Sequence, residues 1–247
     1  MDQYGQRRTL VIRAFALGSL LMAAQAEAAE CRLALALALD VSSSVDTLED
    51  TFQRRGLANA LIAPDVERAF FLSPQPVALA VFEWSGAKHQ RLLVDWRMID
   101  TPQDLLDVAE LLRASKRTNN TEATALGQAL AYASALMANG PDCTAKTLDV
   151  SGDGKNNDGF PPDKAYKYFP FENITVNGLA IKTVGTSMAA FTAVPIDIAG
   201  YYRREVIRGP NAFVEEAQNY GDYERAMTRK LERELAPLAV TMKMDQP

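Results

Sequence analysis

Residues 33–44 read Leu-Ala-Leu-Ala-Leu-Ala-Leu-Asp-Val-Ser-Ser-Ser, an apolar run followed at once by a carboxylate and hydroxyl side chains. Leucine and alanine also suit helices, so periodicity alone does not assign residues 33–39. The short length of the run and its abrupt polar end favour a buried strand. Ligands of open α/β sheets bind beyond the carboxyl ends of the strands, which makes Asp40 and the serines after it the first place to look for chemistry.

Strand-like and helix-like segments alternate along the rest of the chain after Glu30. The pattern predicts further strands at residues 77–82, 91–94, 146–150, 174–181 and 211–216, and helices at residues 46–62, 102–115, 124–138, 162–169, 196–206 and 222–235. A turn near Ser85-Gly86 joins the second and third strands as a hairpin. This alternation indicates an α/β fold with a doubly wound, mainly parallel central sheet and helices on both faces.

The length, net charge and histidine content of the chain limit the classes of function that it can have. The 247 residues are enough for one sizeable α/β domain, and no repeat, low-complexity tract or linker divides it. The net charge is −5, and nothing in the sequence suggests a basic nucleic-acid surface, so nucleic acid is not an expected partner. His89 is the single histidine of the chain, which argues against a histidine base or a histidine-rich zinc site.

The first part of the chain, residues 1–28, is predicted to be a signal peptide rather than part of the fold. Arginines precede an apolar stretch at residues 14–24, and Ala-x-Ala sequences follow at residues 24–28. A membrane anchor is the alternative, but the apolar stretch is short for a bilayer. We therefore expect cleavage, no stable membrane span afterwards, a mature domain at residues 29–247, and a periplasmic or secreted location.

Three oxygen-rich segments lie at predicted strand ends or at a predicted helix start. They read D-x-S-x-S at residues 40–44, Thr-Ala-Leu-Gly-Gln-Ala-Leu at residues 124–130 and Ser-Gly-Asp-Gly at residues 151–154. Their carboxylates and hydroxyls are hard donors that suit Mg²⁺, with Mn²⁺ as the alternative ion, and no soft ligand in these segments favours zinc or copper. The candidate metal ligands are Asp40, Ser42, Ser44, Thr124 and Asp153.

The charge of this ligand set indicates what the ion would do. Two carboxylates only balance the charge of a divalent ion, because hydroxyl ligands are neutral. The ion would stay electrophilic, and an open position would accept a carboxylate from another molecule. Two alternatives concern ligand identity, namely Asp149 in place of Asp153 and Thr121 in place of Thr124. A further alternative is that the serines only cap the next helix and that no metal is bound.

These segments resemble the metal ion-dependent adhesion site of von Willebrand factor A domains, and the matching residues are 40–44, Thr124 with Gly127, 153–154 and 156–159. More closely, the chain resembles over about residues 31–236 a bacterial family of exported A-like proteins of unknown function. The resemblance implies direct ligation by Ser42 and Ser44, with the other three candidates binding directly or through water. It also implies a domain that is not an enzyme and binds a protein partner presenting an acidic residue. One departure is that A domains usually have Thr-Asp-Gly where this chain has Ser-Gly-Asp-Gly.

Cys31 and Cys143 are the two cysteines of the chain, and export to an oxidising compartment makes a disulfide between them an expectation. In sheets of the resembled family type, the first and fourth strands are parallel neighbours, and the cysteines precede these two predicted strands. The resemblance therefore places both cysteines at the edge of the sheet opposite the metal. The alternative is two buried free thiols.

An enzyme is the competing interpretation. Residues 152–158, Gly-Asp-Gly-Lys-Asn-Asn-Asp, resemble the G-D-G-x-N-D signature of haloacid dehalogenase-type phosphatases. Asp40 would then be the nucleophile, while Asp153 and Asp158 would hold Mg²⁺. Those enzymes need D-x-D after the first strand, whereas Ser42 is a poor general acid, and an extra asparagine changes the spacing. A third interpretation is a scaffold with a purely structural metal.

Overall fold

The computed structural model describes residues 29–118, 121–182 and 196–236; the predicted signal peptide and residues 237–247 of the expected domain lie outside them. The described strands are β1 (Cys31–Asp40), β2 (Val77–Trp84), β3 (Gln90–Ile99), β4 (Cys143–Gly152), β5 (Ile174–Ile181) and β6 (Val214–Ala217). The described helices are α1 (Thr47–Leu61), α2 (Pro64–Phe70), α3 (Pro102–Ala114), α4 (Leu126–Ala138), α5 (Pro162–Tyr168), α6 (Ile198–Tyr201) and α7 (Tyr223–Leu235), with a π-helical turn at Tyr202–Val206 and a 3₁₀ turn at Tyr220–Asp222. No helix in these ranges is long and apolar enough to cross a membrane.

The strands form one mainly parallel sheet with the order β3-β2-β1-β4-β5-β6. Among the described strands, only β3 runs antiparallel to its neighbour, as the predicted hairpin requires. The chain winds outward from β1 to one edge through β2 and β3, and then from β4 to the other edge. This is the doubly wound arrangement expected from the sequence, and the carboxyl ends of β1 and β4 meet at its switch point. In that pair, Leu39 lies beside Ser151.

The Leu-Ala alternation of β1 is explained by the two faces of the sheet. The leucines at positions 33, 35, 37 and 39 lie in a core shared with α1, α2, α3 and α7. The alanines at positions 34, 36 and 38 lie in a second core shared with α4, α5 and α6. Successive side chains of a strand point to opposite faces, so both faces of β1 are covered by helices. The predicted α/β class, with helices on both faces, is confirmed.

Several elements differ in their bounds from the sequence-based expectation: β4 is longer, β6 is shifted, and the predicted helix at residues 196–206 divides into α6 and the π-helical turn. Two further differences have a clear physical reason. β3 spans Gln90–Ile99 rather than residues 91–94, because it is an edge strand whose half-exposed side chains include the polar Arg97 and the exposed Asp95. An edge strand keeps an open side, so polar residues interrupt its apolar pattern. Pro64 follows the end of α1, as expected, but it also begins the unpredicted helix α2, where the missing N–H of proline leaves no hydrogen bond unmade.

Cys31 and Cys143 form the predicted disulfide, and both cysteines are buried. They are directly paired in the parallel register of β1 and β4, with their Cα atoms 4.5 Å apart. The alternative of two free thiols is therefore wrong. The bond joins the amino-terminal ends of the two strands, whereas the polar segments lie at the carboxyl ends of the same strands.

Removing this disulfide should lower stability without disturbing the far end of the sheet. The joined residues are 112 apart in sequence, and loss of such a crosslink is expected to reduce the free energy of unfolding by about 2–4 kcal/mol. Thermal unfolding of the Cys31→Ala/Cys143→Ala variant measures the change, and mass spectrometry of unreduced, alkylated protein checks the bond. Equal melting temperatures, or two alkylated thiols in wild-type protein from its native compartment, would contradict the assignment.

Candidate metal centre

Asp40 ends β1 and is fully buried. Its Oδ1 accepts a hydrogen bond from the backbone N–H of Ser42 at 2.8 Å, and this local bond turns the chain out of the strand. The N–H of Val45 then donates to the carbonyl of Ser42 at 3.0 Å, which closes a tight turn. The D-x-S-x-S sequence therefore shapes its own loop at the end of the strand.

The cap of the next helix is supplied by Asp46, and not by the serines. Its side chain accepts hydrogen bonds from the N–H groups of Leu48 and Glu49, while the Glu49 carboxylate accepts from the N–H of Asp46 at 2.8 Å. This reciprocal arrangement is a capping box. The alternative that the serines serve as the helix cap is wrong, so their hydroxyls are available to a site beside Asp40.

Four of the five predicted ligands form a continuous hydrogen-bonded cluster across three segments. Ser42 Oγ lies 3.1 Å from Ser44 Oγ. Thr124 Oγ1 donates to Ser42 Oγ at 3.3 Å, and Ser44 Oγ donates to Asp153 Oδ1 at 2.7 Å. Asp40 adjoins the same cluster through its hydrogen bond with the N–H of Ser42. The fold thus brings all five residues together from positions up to 113 residues apart in the chain, a separation that runs from Asp40 to Asp153.

The two carboxylates of this cluster lack a compensating positive charge. The Oδ2 atoms of Asp40 and Asp153 are buried and have no hydrogen-bond partner among the described residues. Burial, and then the negative charge of Asp153, raises the pKa of Asp40 to about 8, while burial raises the pKa of Asp153. Unpaired buried anions are costly. These two carboxylate oxygens beside three hydroxyls therefore fit a hard divalent cation.

Hydroxyl groups are essential to that fit. The described ranges contain no group of three or more histidine, cysteine, aspartate or glutamate side chains that could hold a metal ion. A cation at this place would therefore depend on serine and threonine oxygens in addition to the two carboxylates.

Thr124 is held in place by the loop that follows β4. Its N–H donates to Asn157 Oδ1 at 2.8 Å, and its carbonyl accepts from the N–H groups of Asn157 and Asp158. Asn156 Oδ1 accepts from the N–H of Gly127 at 3.1 Å. The Asn-Asn-Asp-Gly sequence, which is typical of the resembled family, thus has a structural role here, because it ties the start of α4 to the segment that carries Asp153.

The alternative ligands Asp149 and Thr121 differ from the first choices in their surroundings. Asp149 is buried on β4, where Lys230 Nζ lies 2.8 Å from its Oδ1 and 2.5 Å from Glu234 Oε1. Lys230 and Glu234 belong to α7, so Asp149 faces that helix and not the hydroxyl cluster. Thr121 is exposed, whereas Thr124 is 4% exposed and hydrogen-bonded within the cluster. Asp153 and Thr124 are hydrogen-bonded within the cluster, and both stay the first choices as ligands.

Gly152 explains the departure from the Thr-Asp-Gly pattern. A Cβ at this position would lie 2.5 Å from the Tyr202 hydroxyl and 2.8 Å from Asp40 Oδ2, closer than side chains approach one another. Tyr202 is fully buried in the π-helical turn and takes the space into which a side chain at residue 152 would point. Burial, and then the charge of Asp40, raises the pKa of the Tyr202 hydroxyl, so it remains protonated beside the carboxylates. Sequence reasoning did not find this residue.

Arg117 is a second residue that the sequence did not reveal. Its guanidinium donates to the carbonyls of Val41 at 2.7 Å and Ser42 at 2.6 Å, and also to the carbonyl of Val45. From the other side, Gln53 Nε2 donates to the carbonyl of Asp40 at 2.9 Å. Every residue has a backbone carbonyl, so no sequence motif predicts these contacts. Together they fix the loop that presents the serines.

The sheet order and the two helical layers give the chain a von Willebrand factor A-like fold. Residues 30–239 match the family model described as protein of unknown function DUF1194, and the chain belongs to that family. The sequence-based resemblance to an A-like family of unknown function is thereby confirmed. No curated protein matches the chain in sequence.

Solved structures of similar fold come from several sources. Proximal thread matrix protein 1 from the mussel byssus, in a structure described as having a zinc-occupied MIDAS motif, is 16% identical with a TM-score of 0.54, covering 84% of this chain and 48% of that chain. The pilus adhesin SpaC from Lactobacillus rhamnosus GG is 12% identical with a TM-score of 0.58, covering 83% and 30%. A von Willebrand factor type A protein from Catenulispora acidiphila is 14% identical with a TM-score of 0.55, covering 83% and 42%. This chain thus spans less than half the length of each, and the likeness concerns the fold.

Replacing Arg117 should loosen the loop without unfolding the domain. The variant Arg117→Gln removes charge-assisted hydrogen bonds to the loop carbonyls, each worth about 1.5–3 kcal/mol. We expect amide hydrogen exchange of Ser43 and Val45 to accelerate by on the order of tenfold or more, since both N–H groups are bonded within or beside this loop. Exchange mass spectrometry on wild type, Arg117→Gln and the control Arg113→Gln measures it. Unchanged exchange across residues 41–45 in Arg117→Gln would refute the role.

Proposed function

We propose that this protein is an exported, non-enzymatic domain that binds a partner protein through a divalent cation held by Asp40, Ser42, Ser44, Thr124 and Asp153. The observation that carries the proposal is the buried pair of carboxylate oxygens with no partner, Asp40 Oδ2 and Asp153 Oδ2, beside three clustered hydroxyls. Mg²⁺ is the proposed ion, with Mn²⁺ as the alternative, because all the donors are hard oxygens.

When bound, the cation would supply an electrophilic position for a carboxylate from outside. The chain determines this property, because Asp40 and Asp153 provide two negative charges and the hydroxyls provide none. The loop contacts of Arg117 keep Ser42 oriented, and Ser44 is held by its bond to Asp153. An acidic side chain of a partner is therefore the proposed ligand. The zinc-occupied MIDAS of the mussel protein and the adhesin in the SpaC structure support an adhesion-type role.

The phosphatase alternative has less support. In that mechanism Asp158 would help to hold Mg²⁺, but its Oδ2 accepts from the N–H of Ala87 at 2.8 Å and its Oδ1 accepts from the N–H of Gly159 at 2.8 Å. Asp158 thus fastens the loop to the β2–β3 turn. Position 42, where a general acid is needed, is a serine bonded to other hydroxyls.

Export is part of the proposal. The disulfide between Cys31 and Cys143 suits an oxidising compartment. We propose that residues 1–28 are a cleaved signal peptide and that residues 29–247 form the mature domain in the periplasm or outside the cell.

Metal binding gives the first test of this function. Isothermal titration of the mature protein with MgCl₂ or MnCl₂ should detect one site. Asp40→Ala should weaken affinity by about 100-fold or more, because one of two charged ligands is lost. Thr124→Ala should weaken it by on the order of tenfold, and Thr121→Ala, its matched control, should leave it unchanged. Wild-type affinity in Asp40→Ala would show the site assignment to be wrong.

Assays of partner capture and of hydrolysis distinguish a binding domain from an enzyme. Immobilised mature protein should retain a specific extracytoplasmic protein in Mg²⁺, lose it in EDTA and fail to retain it as the Asp40→Ala variant. Generic phosphomonoesters should not be hydrolysed. Mg²⁺-dependent phosphatase activity that disappears in Asp40→Asn would overturn the binding function and establish the enzyme.

A further inference from the structure

A cavity of about 480 Å³ lies beside the first helix, outside the oxygen cluster. It is bordered by one side of α1 and by the segment that follows α3. Its cationic lining residues are Arg54, Arg55, Arg113, Lys116 and Arg117. Asp50 is the acidic residue of the lining, so positive side chains predominate. This basic pocket is a local feature, because the chain as a whole carries a net charge of −5.

Two acidic groups near the pocket, Asp50 and Glu83, are engaged by Arg54. Its Nε lies 2.9 Å from Asp50 Oδ1 and its Nη2 lies 2.6 Å from Glu83 Oε2, which is fully buried. Arg91 also contacts Glu83, at 2.7 Å. These pairs anchor the floor of the pocket, and they do not involve Arg55, Arg113 or Lys116, which form its rim.

The rim carries charge that faces solvent. Arg55, Arg113 and Lys116 are exposed, and no carboxylate in the described part of the chain lies within ion-pair distance of any of them. Arg113 donates to an amide oxygen, Asn59 Oδ1, at 2.8 Å, which leaves its charge in place. The hydroxyls of Thr51 and Ser115 also line the cavity and add neutral hydrogen-bonding groups.

The basic pocket adjoins the oxygen cluster. Arg117 lines the pocket while its guanidinium donates to the carbonyls of Val41 and Ser42 in the loop that carries the clustered hydroxyls. Thr47, also on the pocket wall, is the first residue of α1 immediately after that loop. A ligand at the cluster therefore has the pocket on its flank.

We propose that the basic pocket receives an acidic peptide segment of the partner, next to the carboxylate that engages the cation. The inference rests on the proposed function and specifies its partner as a protein with several aspartates or glutamates in sequence around the engaging residue. Charge complementarity supports this occupant, since clustered arginines and lysine attract multiple carboxylates. The described lining contains no aromatic ring on which a nucleic-acid base would stack, which favours the peptide.

Fluorescence anisotropy with a labelled hexaglutamate peptide tests this pocket. The charge-reversal variant Arg55→Glu/Lys116→Glu changes two exposed rim residues that have no ion-pair partner among the described residues. The control Lys164→Glu/Arg204→Glu makes the same charge change at exposed positions of the opposite helical layer. In Mg²⁺ we expect wild type and control to bind alike, and the rim variant to bind on the order of tenfold more weakly. Added salt should weaken wild-type binding.

The outcomes distinguish this inference from the function on which it rests. Mg²⁺ titration should show that the rim variant retains its metal affinity, and circular dichroism should show that it is folded. Equal peptide binding by wild type and rim variant, lost in EDTA, would overturn the pocket and leave the metal-dependent function standing. Binding that falls in the rim variant but is indifferent to EDTA would retain the pocket and refute the function. Absent binding by wild type, or equal binding of hexaglutamine, would overturn the inference.

Discussion

The parallel pairing of β1 with β4 places two buried carboxylates at one edge of the sheet, and the rest of the site is arranged around them. The Cys31–Cys143 bond joins this pair of strands at its start, and Asp40 and Asp153 leave it at the other end. Neighbouring strands are separated by only about 4.8 Å, so the two carboxyl groups lie close together, and after burial the charge of Asp153 is the main cause that raises the pKa of Asp40. The N–H of Ser42 and the hydroxyl of Ser44 supply hydrogen bonds to these carboxylates, and Gly152 makes room for them.

The protein offsets this repulsion with neutral groups near the carboxylates and keeps its cationic groups farther away. Asp40 receives a backbone N–H and Asp153 receives the Ser44 hydroxyl, but neither forms a salt bridge in the described structure. Arg117 binds loop carbonyls from outside and contributes only a minor lowering of the pKa of Asp40. Salt bridges would have removed the need for an added cation. The carboxylates of the described cluster form no salt bridge, which is consistent with the divalent cation proposed to balance their charge.

The sequence was sufficient to predict the fold class and the segments that come together at the candidate site, because both follow from local patterns. The alternation of strands and helices predicted the sheet. The D-x-S-x-S sequence indicated which edge of the sheet carries the candidate site. Asp149 and Asp153 were ambiguous in sequence because both lie near the carboxyl end of β4. The contact of Asp149 with Lys230 and that of Asp153 with Ser44 distinguish their surroundings. Arg117 and Tyr202 were not predicted, since one acts through backbone carbonyls and the other through the space left by Gly152. Such roles depend on tertiary packing, which no short motif records.

The proposed role of the basic pocket would address a weakness of any site that captures a single carboxylate. Every protein surface presents aspartates and glutamates, so an electrophilic cation alone selects poorly among partners. A second contact that requires further acidic residues next to the first would discriminate, and positive potential beside the cluster would also speed the encounter with an acidic segment. Arg117 contributes to both the oxygen cluster and the basic pocket, since it donates a hydrogen bond to the carbonyl of Ser42 and lines the pocket. The loop that organises the oxygen cluster thus lies between the two proposed binding surfaces.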